Sequence, residues 1–99
     1  MDLLKIEIII SNTFLQELIE KLEKAGVHGY TAIEIFRGKG IKRGEHLSEG
    51  LLPITRNSLV FSIGTQEVAD RVIDNFRAYL DERGGLILIT KIEYASGFS

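Results

Sequence analysis

The chain has 99 residues, which at about 100 to 200 residues per domain is a single domain, 1–99, with one hydrophobic core. Its 44% hydrophobic and 26% charged residues, single proline and net charge of −2 exclude a disordered, collagenous or polybasic protein. There is no cysteine, which excludes disulfides, thiolate metal sites and thiol nucleophiles, and two histidines do not by themselves make a zinc site.

Asp2 and the short apolar run Ile8-Ile9-Ile10 form neither a signal segment nor a membrane span, so the expectation is a cytoplasmic protein without membrane insertion. Leu4, Ile6, Ile8 and Ile10 alternate with Lys5, Glu7 and Ile9, the pattern of a strand with one apolar face. Ser11-Asn12-Thr13 offers capping side chains, with Thr13 and Gln16 at capping-box spacing. Phe14, Leu15, Leu18, Ile19, Leu22 and Ala25 then recur at helical spacing up to Gly26, with the pairs Glu17/Lys21 and Glu20/Lys24 on the outer side.

A second alternating strand is expected over residues 30–37 after the Gly29 turn, with Tyr30 and Phe36 either at a subunit boundary or in the core. From Gly38 to Asn57 the periodicity is lost, and Gly38, Gly40, Gly44, Gly50 and Pro53 mark a long loop, the expected working part of the molecule. Arg37, Lys39, Lys42 and Arg43 put four positive charges at its start against a total of −2, so the rest of the chain carries −6.

Residues 58–63 alternate as a third strand. Thr65 is the expected cap of a second amphipathic helix whose stripe is Val68, Ala69, Val72, Ile73, Phe76 and Leu80. Gly84-Gly85 ends that helix, and the expected fourth strand covers residues 86–93. The order strand, helix, strand, strand, helix, strand is that of an α+β ferredoxin-like βαββαβ domain with a four-stranded antiparallel sheet. Two helices cover one face of such a sheet. Ile9, Val60, and Ile87 with Ile89 or their neighbours are expected to load the other face, which predicts a homo-oligomer packed through its sheets.

Glycines at 38, 40 and 44 beside cations at 37, 39, 42 and 43 suit an anion, because backbone amides can approach closely and the cations neutralise charge. The spacing is neither the dinucleotide fingerprint nor a P-loop. The acid-base groups near the loop, His28, His46, Glu34, Glu45 and Glu49, form no nucleophile-base-orienter set. An RNA-recognition reading lacks aromatics on the first and third strands, because alternation puts Phe61 on the helix side. The acidic remainder of the chain also disfavours nucleic acid.

The run Gly26-Val27-His28-Gly29-Tyr30-Thr31-Ala32-Ile33-Glu34, followed by Gly38-Lys39-Gly40-Ile41-Lys42-Arg43-Gly44, resembles the PII signal-transduction family across nearly the whole chain. The resemblance implies a homotrimer that binds adenine nucleotides in clefts between neighbours and signals through the loop at about 38–57, the family's T-loop. It implies a binding protein and not an enzyme. Carried over, Gly29 and Thr31 lie near base and ribose, Gly38, Lys39 and Gly40 near the phosphates, and Gly84, Gly85 and Leu86 on the opposite wall. Arg43 is added as a phosphate contact on charge and position.

Lys42 stands where the nitrogen-regulatory branch has the glutamine that helps hold magnesium and 2-oxoglutarate, and residues 38–57 contain no tyrosine for modification. Leu86-Ile87 replaces the family's lysine, and the sequence does not extend to the C-terminal arginines that grip outer phosphates, which implies AMP or ADP over ATP. These departures resemble the PII-like proteins of inorganic-carbon handling. They imply bicarbonate as a second anion, attracted by Lys39, Lys42 or Arg43, and a membrane transporter or other target protein as partner. The alternatives are a weak nucleotide hydrolase, or a ferredoxin-like oligomer for another anion or for a metal, as in metal-tolerance proteins of the CutA type.

Overall fold

The computed structural model describes residues 2–35 and 56–97. The strands are β1 (Leu3–Ser11), β2 (Thr31–Ile35), β3 (Asn57–Thr65) and β4 (Leu86–Lys91), and the helices are α1 (Leu15–Lys24) and α2 (Gln66–Arg83). The strands form one antiparallel sheet in the order β2-β3-β1-β4, the ferredoxin-like arrangement.

Both helices cover the same face. Leu4, Ile6, Ile8 and Ile10 of β1 are buried there against Leu18 and Leu22 of α1 and against Ala69, Val72, Phe76 and Leu80 of α2. These are the stripes expected from the helical periodicity. Ser11, not Thr13, caps the first helical segment, its Oγ accepting from the Thr13 N–H at 3.3 Å, and a 3-10 turn over Asn12–Phe14 leads into α1. Gln16 donates to Glu20 at 3.4 Å and takes no part in a capping box. Glu17 turns to α2, where it accepts from the Tyr79 hydroxyl at 2.6 Å.

Thr65 caps α2 as expected, accepting from the Val68 N–H at 3.4 Å. Gly84 ends that helix at φ 75°, the left-handed conformation that favours glycine. The expected fourth strand shortens to residues 86–91, although the Ile92 N–H still bonds the Leu3 carbonyl at 3.0 Å.

Two expectations about the outer face are corrected. Val60 is 1% exposed on the helix side, level with Ile8, and Phe61 is on the open face, level with Glu7. The reason is that Ser58 and Ser62 turn inward with Val60, because each hydroxyl finds a partner: Asn12 Oδ1 for Ser58 and the Gly29 carbonyl for Ser62. Leu59, Phe61 and Ile63 are thereby forced outward. On β4 it is the neighbours of Ile87 and Ile89 that load the open face, as the alternation allowed: Leu86 and Leu88 stand there at 49% and 48% exposure, and Ile87 and Ile89 pack against the core. Ile9 is on that face as expected.

Candidate functional site

The segment between α1 and β2 has no regular structure and is pinned from three sides. The Val27 N–H bonds the Leu22 carbonyl at 3.0 Å and its side chain is buried. Arg71 of α2 donates through Nε to the Ala25 carbonyl at 2.9 Å. Ser62 of β3 donates to the Gly29 carbonyl. A cleft of about 400 Å³ opens between residues 26–31 and Phe61–Gly64 of β3, with Val68 of α2 behind.

Gly29 and Thr31 are therefore brought to one cleft. A Cβ added at Gly29 would meet nothing within 4 Å, and its φ is not in the left-handed region, so neither packing nor backbone strain within the chain demands glycine there. Gly26, in contrast, has φ +105° and would set a Cβ 2.8 Å from an Arg71 nitrogen. Ser62, Gly64 and Val68 also line the cleft and were not anticipated from the sequence. The register that sets Phe61 opposite Thr31 brings Ser62 and Gly64 of β3 there, and Val68 follows on the first turn of α2.

Gly84, Gly85 and Leu86 lie elsewhere. They enter β4, the edge strand farthest from β2, with β3 and β1 between them. At about 4.8 Å per strand the two sets are roughly 14 Å apart across the sheet. Gly85 has a structural cause of its own, because a Cβ there would lie 2.6 Å from Leu80 Cδ2 and 3.1 Å from the Ile9 carbonyl oxygen. The two glycines are thus accounted for as a helix cap and a close helix-sheet contact. Leu86 is exposed at the sheet edge.

Gly38, Lys39, Gly40 and Arg43, with Lys42, His46, Glu45 and Glu49, lie outside the described residues, as does Phe36. The strands flanking that loop are joined by polar contacts. Glu34 accepts from Arg56 at 3.4 Å and from Asn12 at 3.5 Å, and the Asn12 N–H bonds the Arg56 carbonyl at 2.7 Å. His28 at the cleft and Glu34 near the far end of β2 are not brought together as an acid-base pair. Tyr30 lines the cleft at 42% exposure. Among the described residues no group of three or more His, Cys, Asp or Glu could hold a metal ion, and no helix is long and apolar enough to cross a membrane.

This strand order, with a glycine-entered edge strand and a second glycine turn at the opposite edge, can be compared with known families. The family described as nitrogen regulatory protein P-II matches residues 3–97. The chain belongs to that family. No curated protein matches it in sequence. Among solved P-II structures, CPII of Thiomonas intermedia K12 bound to ADP and bicarbonate superposes with a TM-score of 0.75 at 24% identity, over 93% of this chain and 87% of that one.

CPII bound to ADP, AMP and acetate gives 0.77 at 20% identity, over 95% and 89%. The Bacillus subtilis GlnK-ATP complex gives 0.65 at 17% identity, over 92% and 82%. The P-II fold here is thus closer in shape to CPII than to GlnK.

Proposed function

We propose that this P-II chain is a cytoplasmic regulatory protein that binds an adenine nucleotide, AMP or ADP ahead of ATP, in clefts between subunits of a homotrimer. It reports the bound state through residues 38–57 to a partner protein, for which we propose a transporter of inorganic carbon. The observation that carries this reading is the separation of Gly29 and Thr31 from Gly84, Gly85 and Leu86 on opposite edges of one sheet. A ligand that touches both sets needs a second copy of the chain beside the first.

The fit to a nucleoside is chemical. The cleft pairs the apolar residues Val27, Phe61 and Val68 with the polar residues Thr31 and Ser62, and Gly29 carries no side chain to hinder close approach. In the proposed complex Gly29 and Thr31 face base and ribose, and Gly38, Lys39, Gly40 and Arg43 take the phosphates. Gly84, Gly85 and Leu86 of a neighbouring copy form the other wall. Leu86-Ile87 brings no cation to an outer phosphate, which favours the shorter nucleotides. Bicarbonate as a second ligand draws support from CPII, solved with ADP and bicarbonate, and Lys39, Lys42 or Arg43 are the cations proposed to attract it. The role is binding and signalling, with no catalytic step.

Isothermal titration with AMP, ADP and ATP, each with and without magnesium and bicarbonate, tests this directly. Micromolar binding at one nucleotide per subunit, ranked AMP or ADP above ATP, is the expected result. Absence of heat with all three nucleotides at several temperatures would retire the reading.

A further inference from the structure

The open face of the sheet is apolar along a row from Ile33 through Leu59 and Ile9 to Leu86, and again at Phe61 and Leu88. Two charges stand among these side chains. Lys5 and Glu7, both on β1, form an ion pair with 3.5 Å between Nζ and Oε2, and Lys5 Nζ lies 5.0 Å from the centre of the Phe61 ring. Glu7 sits level with Phe61 and Leu88. Their side chains keep 41% and 23% exposure, and a pair so exposed adds little to the stability of one subunit.

Covered by apolar surface, the same pair acts differently. Intact, it is neutral as a unit and the aromatic face adds to it. A packing that covered one partner and freed the other would strand a charge away from water, which is strongly unfavourable. A flat apolar face discriminates weakly between registers, whereas a buried polar element discriminates sharply. The occupant is a second copy of this chain, because the two walls of the nucleotide site proposed above lie on opposite edges of the sheet. Leu86 belongs to the open face and also to one of the proposed walls, so a cover over that face would run on to the proposed site.

We infer that the Lys5–Glu7 pair, backed by the Phe61 ring, is covered when copies of this chain pack sheet to sheet, and that it sets the register of that packing. The inference rests on the subunit assembly proposed above.

Sedimentation velocity of the full chain over a dilution series tests it, with Lys5→Met, Glu7→Leu, the double variant and Lys5→Arg. Each single variant is expected to dissociate at a concentration at least about tenfold above that of the native chain. The double variant recovers native assembly or exceeds it, and Lys5→Arg matches the native chain. Single variants that assemble as tightly as the native chain, or a double variant as weak as the singles, overturn the inference and leave the trimer standing. A native chain that stays monomeric throughout removes the assembly itself. Should a single variant lose its native circular dichroism, Lys5→Gln against Lys5→Arg carries the comparison, and equal assembly of these two overturns the inference.

Discussion

Ser62, in the middle of β3, donates its hydroxyl to the backbone carbonyl of Gly29 at the entrance to β2. The bond joins a buried polar side chain to a glycine of the cleft wall whose place neither packing nor backbone strain within the chain explains. Ser62→Ala leaves that carbonyl without its partner and is expected to cost about 1 kcal/mol of stability by urea denaturation. Gly29→Ala is expected to leave stability within about 0.5 kcal/mol, because the space around its Cβ is open. Its methyl would instead meet the ligand, and nucleotide affinity should fall about fivefold to a hundredfold. Native affinity in the alanine variant would move the nucleotide away from this wall.

Gly85→Ala should behave in the opposite way. Its methyl would press on Leu80 and on the Ile9 carbonyl, so a loss of about 1–3 kcal/mol is expected even without ligand. A variant as stable as the native chain would show that β4 can shift away from α2 at no cost.

Tyr79 gives the fold a sensitivity to alkali. Its hydroxyl is pushed up to about 12, chiefly by burial, then by the hydrogen bond and charge of Glu17, against an opposing effect of Arg83. Because the folded state keeps its proton at a pH where the unfolded tyrosine, at 10.0, has lost it, stability is level below that point and falls as pH rises toward 12. Tyr79→Phe should flatten this decline while lowering stability at neutral pH by about 1.5–3 kcal/mol through the lost bond to a carboxylate. Chemical denaturation at neutral and alkaline pH measures both, and an unchanged alkaline slope would assign the decline to another group.

Leu88 stands on the open face, half exposed. Leu88→Lys should change the stability of the subunit by no more than about 0.5 kcal/mol while adding a second cation beside the one carboxylate of Glu7, an excess charge in the proposed sheet-to-sheet contact. Sedimentation should show loss of the trimer, and titration should show loss of nucleotide binding with it, since each cleft needs two copies. Nucleotide binding by a monomeric Leu88→Lys chain would place the whole site within one subunit.

The sequence by itself determined the elements and their order. Alternation in β1, the helical stripes of α1 and α2, the Thr65 cap and the Gly84 stop are local patterns, set by which side chains can share one face or bond their own backbone. The family was also legible there, in the glycines and threonine that enter β2. What only the tertiary structure decided was which face each strand presents and how far apart the site residues lie. Ser58 and Ser62 point inward although their neighbours Leu59, Phe61 and Ile63 are more apolar, because Asn12 and Gly29, distant in sequence, receive their hydroxyls. Gly85 answers to Leu80 and Ile9, and Gly29 and Gly85 stand at opposite edges because β3 and β1 lie between β2 and β4. Such relations depend on strand order and register, which bring together groups that no local period connects.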